Sequence, residues 1–434
     1  MKQAHRGSIL HFLSDPDSTK DKCYEYFLDG LMIVEDGVIQ SLCDASQGMK
    51  NLDSNMQLIE HKDSLIMPGF VDTHIHFPQM EVIAAFGEQL LEWLNKYTFP
   101  TERKFEDKIY ARAMAEQFLN ELLRVGTTTA LVFGTVHKQS VEAFFEACEV
   151  RNLRMIAGKV MMDRNAPDYL TDCPQSAYDD SKDLIEKWHN KGRLSYAVTP
   201  RFAPTSSREQ LQLAGQLISE YPDIYMQTHL SENLDEVAWV KSLFPESENY
   251  LDIYDRAGLL GRRSVFAHCI HLNDDEWQRM ADTQSRIAFC PTSNLFLGSG
   301  LFNLNRAVKE NIHVGLATDV GGGTSFSILQ TLNEAYKVLQ MQGDTLSILK
   351  MFYLATLGGA ETLDLSDKIG NFETGKEADF IILDKTCTPL IKMRLESSDD
   401  LLEQLFVLGI LGDDRAVKQT WSAGQKVHDR DQLG

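Results

Sequence analysis

From residue 70 onward, short runs of apolar and β-branched residues alternate with longer segments whose apolar positions recur every three or four residues. The runs are 70–76, 127–133, 155–162, 194–202, 224–230, 264–270, 287–290 and 313–320, eight in all. Near-continuous apolarity marks strands buried on both faces, which belong to parallel sheets covered by helices. Between the runs, Met114, Phe118 and Leu122 with Leu119 and Leu123 trace one helical face that stops at Gly126. Leu211, Ala214 and Ile218 trace another, with Ser206 and Glu209 in capping-box spacing at its start. Strand–helix alternation of this length predicts an α/β protein built on a (β/α)8 TIM barrel. An open doubly wound sheet alternates in the same way, but no Gly-x-Gly-x-x-Gly follows an early strand.

The flanks read differently. Residues 1–67 hold short β-like runs at 24–28, 31–34 and 38–42, the last two joined by Glu35-Asp36-Gly37, a hairpin signal, and another at 65–67. After the last barrel strand, 326–340 and 345–357 have helical spacing, with Gly358-Gly359 as the expected stop. Residues 380–383 return to β character, and 417–421 and 425–428 flank Ala423-Gly424 as a second hairpin. Each flank is too thin to bury its own apolar face. The expectation is therefore a barrel domain at 68–366 and one small β-sandwich domain assembled from 1–67 and 367–434.

Composition narrows the function. The chain has 434 residues, 43% hydrophobic and 24% charged, so it is globular and not disordered. A net charge of -21 repels phosphate backbones, which argues against a nucleic-acid or anionic-membrane partner and leaves a small neutral substrate unaffected. The seven cysteines are scattered, with no Cys-x-x-Cys, as expected of reduced thiols in the cytoplasm. The early run Ser8 to Leu13 is short for a signal peptide, and no later run approaches a membrane span.

The chemistry gathers at strand ends. His74 and His76 lie two apart on a predicted strand and so project from one face, close enough to share a metal. Alone, such a pair is more often a hydrogen-bonded structural couple, on the surface or in the core. In a barrel, however, reactive groups collect at the C-terminal ends of strands, and the ends of later runs carry Arg201-Phe202, His229 with Glu232, His268 and Asp319. Four of the 12 histidines fall at these positions. Three imidazoles and a carboxylate suit a divalent cation, zinc ahead of iron or manganese. Such an ion makes water nucleophilic near neutral pH, so no catalytic serine or cysteine is needed. Asp319 is then placed to take the water's proton and Glu232 to give one to the substrate, which describes hydrolysis at an electrophilic carbon. Gly321-Gly322-Gly323 reads as room for a turn beside the metal in preference to a phosphate cradle. Lys159 and Lys187 read as ordinary charged positions, and His137, His189, His271 and His313 as structural.

Pro68-Gly69, His74-Ile75-His76, His229, His268, Thr318-Asp319 and Gly375-Lys376-Glu377-Ala378-Asp379 together resemble the amidohydrolase superfamily. Within it, Thr73 to Gln79, Leu90 to Glu102, Thr127 to Ala130, Pro200 to Thr205, His229 to Asn233 and Cys290 to Asn294 are similar to the members that deaminate guanine. The likeness runs from about Pro68 to Asp384 and is weakest in the N-terminal part and last residues. It implies one zinc held by His74, His76, His229 and Asp319, with His268 orienting the water. It implies that Gln79 and Arg201 hydrogen-bond a purine and that Phe202 packs on its ring, inside a pocket that His76, His229, Glu232 and Asp319 also line. The implied reaction converts guanine to xanthine and ammonia, with Glu232, Asp319 and His268 as the catalytic groups, in a homodimer. Other purines or a triazine are alternative substrates for the same metal set, and a catalytically silent scaffold would have lost a ligand that this chain retains.

Overall fold

The computed structural model describes residues 2–17, 22–53, 55–86, 89–398 and 400–432. Four strands precede the barrel: β1 (Lys2–Phe12), β2 (Tyr24–Glu35), β3 (Val38–Asp44) and β4 (Gln57–Pro68). The hairpin expected at Glu35-Asp36-Gly37 joins β2 to β3, with positive φ at both Asp36 (51°) and Gly37 (82°), as a tight primed turn requires. The runs 24–28 and 31–34 are one strand passing through Asp29-Gly30. β1 has no counterpart in the sequence reading, because Gln3, His5, Arg6 and Ser8 dilute its apolar signal. It pairs antiparallel with β2 and parallel with β4, and that second pairing is invisible locally.

The barrel strands are β5 (Phe70–His76), β6 (Thr127–Phe133), β7 (Arg154–Gly158) with its short continuation β8 (Val160–Met161), β9 (Leu194–Pro200), β10 (Tyr225–Leu230), β11 (Ser264–His268), β12 (Arg286–Phe289) and β13 (Val314–Leu316). They run parallel in the order β5-β6-β7-β9-β10-β11-β12-β13, with β8 also on β9. His76 N donates to Val320 O at 2.9 Å and Asp319 N to His74 O at 3.0 Å, so the exit of the last strand is stitched to the first. The barrel is nearly closed. Every residue of β5, β6, β7 and β9 is buried, as the uninterrupted apolar runs require.

Three C-terminal strands, β14 (Phe380–Asp384), β15 (Val417–Ser422) and β16 (Gln425–Asp429), complete a seven-stranded mixed sheet ordered β16-β15-β14-β4-β1-β2-β3. Alternate residues of its strands serve two cores. Leu65, Met67, Ile381, Leu383 and Val417 join the apolar mass around the barrel, whereas Ile66, Phe380, Ile382 and Trp421 pack with Ile9, Met32 and Ile39 in a separate core. A one-residue slip would exchange the two sets, so burial on both sides holds the register. Glu377, from the motif at 375–379, accepts from Arg154 and Arg193 at the starts of β7 and β9, clasping this sheet to the bottom of the barrel. The helices Ile328–Met341, Ile348–Ala355 and Leu401–Leu411 also contribute to the barrel-side core.

Two local expectations are corrected. Gly358-Gly359 lie inside the helix Leu357–Thr362, and the break falls earlier, at Thr356 (φ -129°, ψ -97°). A Cβ on Gly359 would stand 2.9 Å from Cβ of Val71, so this glycine lets the helix press on β5 and is no stop signal. The helix Arg208–Glu220 is capped by Ser207, which accepts from Gln210 N, and not by Ser206. Ser206 is consumed by the preceding turn, donating its N–H to Ala203 O.

Under the small sheet, His5 Nδ1 and His61 Nε2 meet at 3.1 Å beneath Phe380 and Trp421. Burial lowers His5 to about 3 and, with Lys418 and Lys426 nearby, His61 to about 4. Both folded values lie below the unfolded value near 6.5, so the neutral pair stabilises above that pH and its contribution is lost as pH falls toward 4. Thermal melting from pH 7 to 4 is expected to show a smaller fall in Tm for His61→Leu than for the wild type; equal slopes would refute the assignment. No helix among the described residues is long and apolar enough to cross a membrane.

Candidate metal centre and ring-binding cavity

The four residues expected to share a metal come from three strand ends. β5 ends in His74 and His76, β10 carries His229, and Asp319 follows β13. Their ligand atoms lie within 4.8 Å of one another. His76 Nε2 is 3.2 Å from both His74 Nε2 and His229 Nε2, and Asp319 Oδ1 is 3.2 Å from His74 Nε2. His229 Nδ1 donates to Arg201 O at 2.7 Å, which leaves Nε2 as the lone-pair nitrogen turned toward the cluster. Burial pushes His74 down, His76 down to about 3 and His229 far down, so all three rings are neutral. Neutral imidazoles with converging lone pairs cannot satisfy one another by hydrogen bonds, but they can satisfy a cation. Burial opposes ionisation of Asp319, but the imidazoles of His74 and His76 packed against its Oδ1 hold it well below the usual carboxylate range. The donor set fits a divalent metal.

The backbone around these ligands is unusual. Ser231, His268, Cys269 and Asp319 are non-glycine residues with positive φ, from 49° to 71°, a conformation that only a surrounding structure can impose. Buried Asp72 holds part of it, accepting from Thr318 N (3.1 Å), Thr318 Oγ1 and His74 N (3.2 Å). The glycines after Asp319 serve the turn: a Cβ on Gly323 would lie 1.8 Å from Thr318 O.

Glu232 and His268 stand beside the cluster. His268 Nε2 is 3.4 Å from Glu232 Oε2 and 3.8 Å from Asp319 Oδ2. His268 Nδ1 donates to Asn294 Oδ1 at 2.8 Å, so its free lone pair is at Nε2. Ser299 donates to Glu232 Oε1 at 3.0 Å. Burial, and then the charge of Asp319, raise Glu232 to about 8, which keeps it protonated at neutral pH. Asn294 and Ser299 lie in and just after the helix Pro291–Phe296, so one segment supports both groups.

A cavity opens over these residues. Its walls include Gln79, Arg201 and Phe202 together with Leu90, Trp93 and Leu297. Arg201 is paired with Glu102, its Nη1 lying 3.0 and 2.9 Å from the two carboxylate oxygens, and stands over the Phe99 ring at 5.4 Å. Gln79 Nε2 donates to the same carboxylate at 3.2 Å, and Gln79 Oε1 accepts from Gly321 N at 3.2 Å. Asp72, Glu102, Asn294 and Ser299 were not among the residues given a role from sequence. Glu102 and Asn294 do lie in stretches whose likeness was noted, which was the only available signal. Lys159, read as ordinary, is fully buried where β7 breaks from β8 and is paired with Asp172. Lys187 is a surface residue paired with Glu142. His271 Nε2 binds Ser299 O at 2.9 Å.

A nearly closed parallel barrel with three histidines and one carboxylate, able to hold a metal, at the C-terminal ends of its strands is the arrangement of a hydrolase. The chain belongs to the amidohydrolase family, whose sequence model matches residues 65–427. It is 55% identical over 430 residues to guanine deaminase of Escherichia coli (strain K12), spanning 99% of this chain and 98% of that one. The solved structure of E. coli guanine deaminase superposes with a TM-score of 0.97, covering 99% of this chain and 100% of that one. Guanine deaminase from C. acetobutylicum, solved with guanine bound in its active site, is 32% identical, with a TM-score of 0.89 and coverage of 99% and 100%.

Proposed function

We propose that the protein hydrolyses the C2 amine of guanine, giving xanthine and ammonia, with zinc held by His74, His76, His229 and Asp319. The observation that carries this reading is the convergence, in one cavity, of that cluster, the buried carboxyl of Glu232 and the polar pair Gln79 and Arg201. The identity to E. coli guanine deaminase supports it. Zinc bound there supplies Lewis acidity that makes water a nucleophile near pH 7. The chain does the rest. Asp319 takes a proton from the attacking water and returns it to the departing amine. Glu232 gives its proton to the ring nitrogen beside C2, and His268 Nε2, between the two carboxyls, orients the water. Water adds its oxygen to C2, one of its hydrogens leaves with the amine through Asp319, and the other passes from the new C2 hydroxyl to Glu232 as the carbonyl forms, so the acid is restored and the reaction balances. Gln79 and Arg201 hydrogen-bond the base, and Phe202, packed edge-on against Trp239, lies along its ring.

An assay for ammonia release over guanine, adenine, an oxidised purine and a triazine tests the reading. Guanine should be strongly preferred, because a site built around polar edges penalises bases that leave them unpaired; equal turnover of another ring would overturn it. Arg201→Lys should raise KM by roughly 10–100-fold, since an ammonium cannot supply the planar fork. The cytoplasmic homodimer implied by the family likeness belongs to the same proposal, and sedimentation of the purified protein checks the dimer.

A further inference from the structure

Glu102 is fully buried, yet it is neither a metal ligand nor near the reacting groups. It ends the four-residue helix Phe99–Glu102, in the excursion after β5 that also brings Leu90, Trp93 and Leu94 to the cavity wall. Its carboxylate accepts from Arg201 Nη1 through both oxygens and from Gln79 Nε2. A buried carboxylate with two donors is a stable acceptor, and its effect on its partners is directional. It uses up Nη1 of Arg201 and leaves Nε and Nη2 without a partner among the described residues. Gln79 is turned with Oε1 on Gly321 N and one Nε2 hydrogen on Glu102, so its remaining Nε2 hydrogen is a donor. Trp93, on the same wall, has a buried Nε1–H with no partner among the described residues. This side of the cavity therefore offers donors.

We infer that Glu102 is a specificity-determining positioning residue: by holding Arg201 and Gln79 it presets a donor face that takes the acceptor edge of a 6-oxopurine and rejects a 6-amino group. The inference rests on the proposed guanine reaction and says which part of the base is read. Guanine presents two acceptors, O6 and N7, along one edge, which a guanidinium matches with two hydrogen bonds; a 6-amino purine presents a donor in place of O6. Donor against donor leaves buried groups unpaired, and discrimination follows. Glu102→Gln keeps the shape but replaces one acceptor oxygen with an amide NH2 that repels Arg201 and Gln79 donors.

The test compares guanine with 2,6-diaminopurine, which carries the same 2-amino group, in wild type, Glu102→Gln and Glu102→Asp. Metal content and Tm are measured on each to show that the variants fold. In Glu102→Gln, kcat/KM for guanine should fall about 10–100-fold, mainly through KM. The guanine-to-diaminopurine preference should narrow by about tenfold or more, and Glu102→Asp, which keeps the charge, should recover part of it. A preference equal to wild type in a folded, metal-loaded Glu102→Gln, or a loss confined to kcat and equal for both bases, overturns the inference while leaving the guanine reaction standing. A wild type that releases no ammonia from guanine overturns both.

Discussion

Glu232→Gln is expected to lower kcat for guanine by roughly 10²–10⁴-fold, the usual worth of a positioned general acid, with KM and metal content close to wild type. The glutamine preserves the contact with Ser299 and the volume beside His268, but it has no acidic proton for the ring nitrogen. Steady-state kinetics together with metal analysis reads the result, and a kcat within a few-fold of wild type would remove Glu232 from the mechanism. The acid's pH dependence has a definite sign. A carboxyl raised to about 8 is present as the acid below that pH and is lost above it. A bound divalent ion favours the carboxylate and moves the value down, so the alkaline limb of kcat in the wild type is expected at or below pH 8.

His74→Ala removes one of the four ligands of the cluster. Activity should fall by about 10⁴-fold or more, because water released from the metal returns toward its bulk pKa, roughly nine units higher. Metal content should drop with it, which separates this variant from Glu232→Gln. Chelation of the wild type should abolish activity reversibly and lower Tm, since an ion present at a hundred times its Kd contributes about 2.7 kcal/mol to the folded state. Full activity in a chelated, metal-free sample would exclude the metal reading. Asp72 supports the same cluster through Thr318 and His74, so its loss is expected to act on metal affinity before it acts on substrate binding.

Legibility differed from element to element for physical reasons. The eight barrel strands were readable because a strand covered on both faces must be apolar throughout, and that leaves a run that no surface element imitates. β1 was not, because half of its residues are polar and its parallel partner β4 lies about fifty residues away. The helix break at Thr356 and the cap at Ser207 were displaced by packing: Gly359 answers to Val71, and Ser206 to the turn before it. Lys159 gave no sign of burial because its partner Asp172 is supplied by a loop.

The sequence alone determined which barrel strands exist, and through the two-residue spacing of His74 and His76 and the positions of His229, His268 and Asp319 at strand ends, where metal chemistry could occur. These are local consequences of pleat and period, written into neighbouring residues. Only the tertiary structure decided which lone pairs meet, how His229 and His268 are turned by Arg201 O and Asn294, and that Glu102 lies beneath Arg201 and Gln79. Those contacts join residues 23 to 99 apart in the chain, and their geometry follows from closing the barrel, which no short stretch encodes by itself.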